Sequence, residues 1–201
     1  MKSACSFEQF MKDIAGHSME VLLDNGIYRH LDFSNNGSFN QRFQITTWPG
    51  YLCISGDMGC YVFSRVEDMF TFFRGEPGRI NPPYWSEKLQ SDSKYRTCME
   101  YSPERFRETV QDYFNSWIEE EEPTDPEKAR LWKQIEDDVL TADNEYEAFN
   151  RASEFHWQNE LFFYDFFEHN LKDYTGQFIW CLYAIVDAIH QYDNRPQPVP
   201  Y

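Results

Sequence analysis

Positive charge is what this chain has too little of: 18 Lys+Arg stand against 34 Asp+Glu, a formal net charge of −16 over 201 residues. That deficit argues against direct binding to nucleic acid, whose phosphates reward Lys and Arg. Long apolar runs are also missing. None reaches the roughly 18 residues of a membrane span, so no membrane partner is expected. The start, Met1-Lys2-Ser3-Ala4-Cys5, runs into Glu8 and Asp13 where a signal peptide would carry its apolar core. The five cysteines, Cys5, Cys53, Cys60, Cys98 and Cys181, are odd in number and scattered. That pattern reads as reduced thiols of a cytoplasmic protein. Metal-ligand spacing is lacking too. His17, His30, His156, His169 and His190 form no HxxxH or HxH pair, and Cys53 and Cys60 no CxxC. With no GxSxG elbow either, the expectation is no metal, no cofactor and no catalytic residue, and a non-enzyme is favoured while an enzyme stays open as the alternative.

The aromatics are abundant, with 18 Phe, 13 Tyr and 6 Trp. A disordered acidic chain would be poor in them, so a folded body with buried rings and outward carboxylates is expected. The charge is uneven. Residues 1–100 hold 10 Lys+Arg and 12 Asp+Glu, a balance of −2, whereas residues 101–201 hold 8 and 22, a balance of −14.

Capping and turn residues suggest an α+β fold. Ser6 and Gln9 fit a capping box, and Phe7, Phe10, Met11, Ile14, Met19, Leu22 and Leu23 follow at helical spacing until Asn25-Gly26. Four strands come next, over Ile27–Phe33, Phe39–Trp48, Tyr51–Ser55 and Cys60–Ser64, separated by Asn35–Gly37, Pro49-Gly50 and Gly56–Gly59. A tight turn at Pro49-Gly50 pairs Ile45 with Ile54, and one at Gly56–Gly59 pairs Leu52 with Phe63. Both registers put Phe43, Ile45, Leu52, Ile54, Tyr61 and Phe63 on one face, and a three-residue loop at Asn35–Gly37 adds Ile27, Leu31 and Phe33. A second capping box, Ser64 to Glu67, opens a helix ending at Gly75.

Gly75, Pro77, Gly78, Pro82 and Pro83 make residues 75–100 a long loop. Helices are expected after it: from Ser102-Pro103, from Asp125-Pro126, one long or two abutting helices from Asn144 to about Asn170, and a last from Thr175-Gly176. The ending from Pro196 to Tyr201 should be extended. The organisation expected is therefore a 1–100 part, a four-stranded antiparallel meander flanked by helices, and an acidic helical 101–201 part packed with it as one domain.

The carboxylates carry the functional reading. Glu119, Glu120, Glu121, Glu122, Glu136, Asp137 and Asp138 are the candidate contacts of an acidic surface that resembles the phosphate array of nucleic acid. Duplex DNA carries one charge per roughly 1.7 Å of axis. Such a surface fits the Lys/Arg groove of a basic nucleic-acid-binding protein. The plain alternative is a solvated acidic face that keeps the protein soluble. A second functional reading is a nucleotide or small-ligand pocket, in a binding protein or enzyme, beside the 75–99 loop. There Arg79, Tyr84 and Trp85 are residue types common at binding surfaces; the alternative is a strap packed over the core.

The stretch from Ile45 through Trp48-Pro49-Gly50-Tyr51 and Gly56-Asp57-Met58-Gly59 to Arg65 resembles small proteins of tailed phages and prophages. The resemblance covers roughly residues 40–75 and transfers no site residue. It implies a context, since small phage proteins outside the virion often redirect host machinery, as anti-CRISPR and anti-restriction proteins do. The combined expectation is an acidic interaction protein in the host cytoplasm that inhibits a host nucleic-acid-binding complex.

Overall fold

A computed structural model describes residues 5–93 and 96–196. The first four residues, and the ending beyond residue 196 expected to be extended, lie outside it. The fold is α+β and divides into two compact units. One comprises residues up to 99 together with 174 onward, and the other comprises residues 100–173.

In the first unit, α1 (Phe7–Asp13) starts where its sequence says, with Ser6 accepting from the Gln9 N–H at 3.1 Å. It does not continue to Asn25. Ser18–Asn25 is instead strand β1, paired antiparallel with β2 (Tyr28–Ser34). Asn25-Gly26 is punctuation in either case, and here it makes a hairpin turn, Gly26 supplying φ +62° and Asn25 facing Tyr28. β1 sits at the edge of its sheet, so Val21, Leu22 and Leu23 remain exposed. That removes the one-sided burial on which a periodicity argument depends.

β3 (Phe43–Trp48), β4 (Tyr51–Gly56) and β5 (Gly59–Ser64) follow in order, and β6 (Leu89–Ser91) pairs with β5. The expected four-stranded meander is thus the middle of a six-stranded antiparallel sheet, β1-β2-β3-β4-β5-β6. The pairings Ile45 with Ile54 and Leu52 with Phe63 are as expected. The loop after β2 is longer than three residues, since Phe33 faces Phe43. The slip is by an even number of residues, so the inward face is unchanged. Leu31, Phe33, Phe43, Ile45, Leu52, Ile54, Tyr61 and Phe63 are all buried. Ile27 lies before β2 and is only half-buried.

The helix expected from Ser64 begins later. Asp68 is its cap, accepting from the Phe70 N–H at 3.1 Å, and α2 runs over Met69–Phe73. Asp68 also holds the Arg29 guanidinium in a two-point pair at 2.8 and 3.1 Å. This tertiary contact fixes where the helix starts. The 75–100 segment contains α3 (Pro82–Ser86), capped by Asn81, as well as β6.

The C-terminal helix, Gly176–Asp193, belongs to this first unit. Thr175 caps it, and Phe178, Trp180, Leu182, Ile185 and Ile189 are buried in the core of the sheet. Trp180 meets Phe10 and Phe43 edge-on at 5.1 and 5.5 Å and donates its N–H to Asp13 at 3.0 Å. Among the described residues, no helix is long and apolar enough to cross a membrane.

The second unit follows β7 (Met99–Tyr101). It contains α4 (Pro103–Glu121), α5 (Asp125–Asp138), α6 (Glu145–Glu154), a small hairpin β8 (His156–Trp157) and β9 (Glu160–Leu161), and a 3-10 turn at Phe166–Glu168. The chain leaves through β10 (Lys172–Tyr174), and α7 is the C-terminal helix already described. The one long or two abutting helices expected over 144–170 reduce to α6, which stops at Glu154 and gives way to the hairpin. Gln158 and Asn159 both take positive φ, 53° and 70°, and turn the β8–β9 hairpin. Phe106, Val110 and Phe114 of α4, Leu131 and Ile135 of α5, and Phe155, Phe163 and Phe166 make an aromatic core.

Candidate functional site

The unit boundary coincides with the charge boundary. Residues 100–173 carry 21 Asp+Glu and 7 Lys+Arg, a balance of −14, and the rest of the chain carries −2. The seven cations are already engaged. Arg105 pairs with Asp173 at 3.9 Å, Arg107 with Glu136 at 3.7 Å and Lys128 with Asp125 at 3.3 Å. Lys133 pairs with Asp137 at 2.7 Å and Lys172 with Glu145 at 3.2 Å. Arg151 donates to the Asp138 carbonyl and the Thr141 hydroxyl, and the Arg130 guanidinium lies 5.0 Å from the centre of the Trp157 ring. Among the described residues, no Lys or Arg comes within 4 Å of the carboxylates of Asp112, Glu119–Glu122 or Glu160.

Helical spacing gathers part of this charge into a cleft of about 800 Å³. Asp112, Ser116 and Glu120 are four residues apart on α4, and Tyr113, Trp117 and Glu121 form the adjoining row. The start of α5 adds Glu127, and the β8–β9 hairpin adds Trp157 and Glu160, with Phe162 beyond it. Trp117 meets Trp157 and Phe162 edge-on, each at 6.3 Å. The Tyr113 hydroxyl donates to the Tyr164 carbonyl and shares a hydrogen bond of 3.0 Å with His169 Nε2.

Glu127 receives the Thr124 hydroxyl and backbone N–H at 2.7 and 2.9 Å. These two bonds hold its carboxyl below the usual value. Tyr113 is pushed up by burial first and by Asp165 and Glu168 next. Tyr101 is raised to about 12 by burial and by Asp143, Glu145 and Glu147. Both phenols remain protonated at neutral pH.

Of the seven carboxylates singled out in the sequence, Glu120 and Glu121 line the cleft. Glu119 shares their helical turn, and Glu122 is the C-cap of α4 in the left-handed region, φ 47°. Glu136, Asp137 and Asp138 close α5, where Arg107 and Lys133 engage the first two. The cleft residues missed in the sequence are Asp112 and Glu160, with Trp117 and Trp157 as walls. Glu127 is legible as an outward carboxylate of the helix from Pro126, and Asp112 through its i, i+8 spacing to Glu120.

The alternative set beside the 75–99 loop is dispersed. Trp85 is buried edge-on against Phe73, Tyr84 is exposed beside Lys88, and Arg79 pairs with Glu76 at 2.9 Å. The Cys53 and Cys60 sulfurs lie 3.9 Å apart, and burial, then Cys60, pushes the Cys53 thiol up to about 12. Among the described residues, no three His, Cys, Asp or Glu side chains converge as metal ligands. No family model, curated protein or solved structure matches this chain.

Proposed function

We propose that this chain is an acidic interaction protein of phage type. In this reading it inhibits a host nucleic-acid-binding complex, of the CRISPR or restriction kind, by occupying its basic groove. The 100–173 unit is the interacting body, and the host cytoplasm is the place of action. One observation carries the reading: a balance of −14 in a folded unit whose seven cations are already engaged. A basic groove meeting such a surface gains the attraction it has for phosphates, with the same dependence on salt.

The test is competition. Immobilised chain should capture a basic nucleic-acid-binding complex from host lysate at low salt and release it at high salt, and duplex DNA should displace the chain. Charge reversal at Glu119, Glu120, Glu121 and Glu122 together should abolish both capture and inhibition. Capture that survives the reversal in a folded variant refutes the reading.

A further inference from the structure

We propose that the cleft of the 100–173 unit selects arginine. Its occupant is an arginine-bearing segment of a basic protein whose guanidinium groups enter between the carboxylates and the indole walls. The inference rests on the function proposed above and specifies the chemistry of its contact.

Three observations lead there. The cleft, about 800 Å³, falls within the roughly 300–1,000 Å³ typical of ligand clefts and has room for side chains. Its exposed carboxylates, Asp112, Glu120, Glu121 and Glu160, have no cation within 4 Å among the described residues. Its apolar wall comes from Trp117 and Trp157. Carboxylates would hold any cation. Combined with ring faces they favour the flat guanidinium, which pairs with a carboxylate at two points and stacks on a ring, over the compact, strongly hydrated ammonium of lysine.

The full arrangement, carboxylate and ring together, occurs within the chain at Arg29, and its cation–ring half at Arg130. Arg130 lies over Trp157. In the other unit, Arg29 forks onto Asp68 while its guanidinium sits 4.4 Å from the centre of the Phe70 ring. The cleft offers a partner the arrangement the chain uses for its own arginine.

The experiment titrates the full chain with nona-arginine, nona-lysine and spermine, read by calorimetry and tryptophan quenching. Two triple variants remove equal charge: E120Q/E121Q/E160Q inside the cleft and E136Q/D137N/D138N outside it. Nona-arginine should bind at least about tenfold tighter than nona-lysine. The cleft variant should erase that preference, and the outer variant should keep it. Equal binding of the two peptides, or equal loss in both variants, overturns the inference and leaves only a diffuse field. Spermine binding as tightly as nona-arginine also overturns it. A complex still captured by E120Q/E121Q/E160Q sinks the cleft while leaving the proposed function standing. A chain with the arginine preference that displaces no nucleic acid sinks that function and leaves the cleft.

Discussion

Three glutamates end helix α4, and a helix ends on its negative pole. Glu119, Glu120 and Glu121 occupy the last turn, which holds no basic residue. Free carbonyls there amount to about half a negative charge, and an exposed carboxylate beside them costs about 0.3–1 kcal/mol at low ionic strength. Replacing all three with glutamine keeps shape and helix propensity nearly constant and should stabilise the protein by about 1–3 kcal/mol. For a chain of this length, each kcal/mol corresponds to about 2–4 °C in Tm. The assay is urea unfolding followed by tryptophan fluorescence, at low salt and at about 1 M NaCl, where the screening length falls to about 3 Å. The gain should be present at low salt and largely gone at high salt. Glu127→Gln provides the opposite sign: its carboxylate lies at the positive pole of α5, held by Thr124, so neutralising it should destabilise. A triple variant no more stable than the parent at low salt, or equally stabilised at both salts, would refute the pole argument.

Asp187 is buried on α7, and burial raises its carboxyl above the ordinary 3.8 despite Gln191 and His190. The folded state therefore holds this proton more tightly than the unfolded chain, so stability should fall as pH rises from the ordinary value through the raised one. Asp187→Asn, which keeps an acceptor for Gln191, should remove that slope and raise Tm at neutral pH; a persisting slope in an acid-to-neutral melting series argues against it. Asp68 behaves oppositely: burial would raise it, but the Arg29 pair and the Phe70 N–H bring it below the ordinary value. The pair's stabilisation is present above 3.8 and lost as pH falls through the lowered value. Arg29→Leu should cost about 1–3 kcal/mol at neutral pH and much less in acid, read by urea midpoints. Gly56 has φ +155°, and a Cβ there would lie 2.2 Å from the Arg42 carbonyl oxygen. Gly56→Ala should therefore lower Tm well beyond Gly26→Ala, whose Cβ meets nothing within 4 Å.

Parity and caps made the sheet legible. A hairpin register that slips by an even number leaves the same side chains inward, so turn chemistry puts Leu31 and Phe33 on the buried face even though the loop after β2 is longer than three residues. Ser6, Ser102, Asn144 and Thr175 cap helices because their side chains satisfy N–H groups that no earlier turn can reach. What stayed hidden depends on distant partners. Asn25-Gly26 serves as a helix stop or a hairpin turn, and only the pairing with β2 decides. Between Phe155 and Asn170, rings at nearly every spacing satisfy a helical pattern, while Gln158-Asn159 turns the chain without Gly or Pro. The cleft needed α4, α5 and the β8–β9 hairpin together, 48 positions apart from Asp112 to Glu160. No local pattern spans that distance.

The placement of the carboxylates weighs between a solubilising coat and a binding surface. Solubility depends on net charge and is indifferent to where on an exposed helix a carboxylate sits. Here Glu119–Glu121 finish α4 and Glu136–Asp138 finish α5, two clusters at negative poles, neither with a basic residue in its last turn. The same residues moved toward the N-terminal turns would dissolve the protein equally well and stabilise it instead. Glu122 adds a left-handed backbone at a position where glycine would be at ease. The aromatic core of the unit, with Phe106, Phe114, Phe163 and Phe166 packed together, offsets that repulsion by burying area at about 25 cal/mol per Å². The two clusters differ in their surroundings. Arg107 and Lys133 engage the α5 end, whereas the α4 end opens into a cleft walled by Trp117 and Trp157; Arg130 stands over Trp157 there, but among the described residues no Lys or Arg lies within 4 Å of the Glu119–Glu121 carboxylates. A coat gives no reason for that difference. The proposed partner, which would bring its own positive charge, accounts for it, and the proposal places that partner at the α4 end.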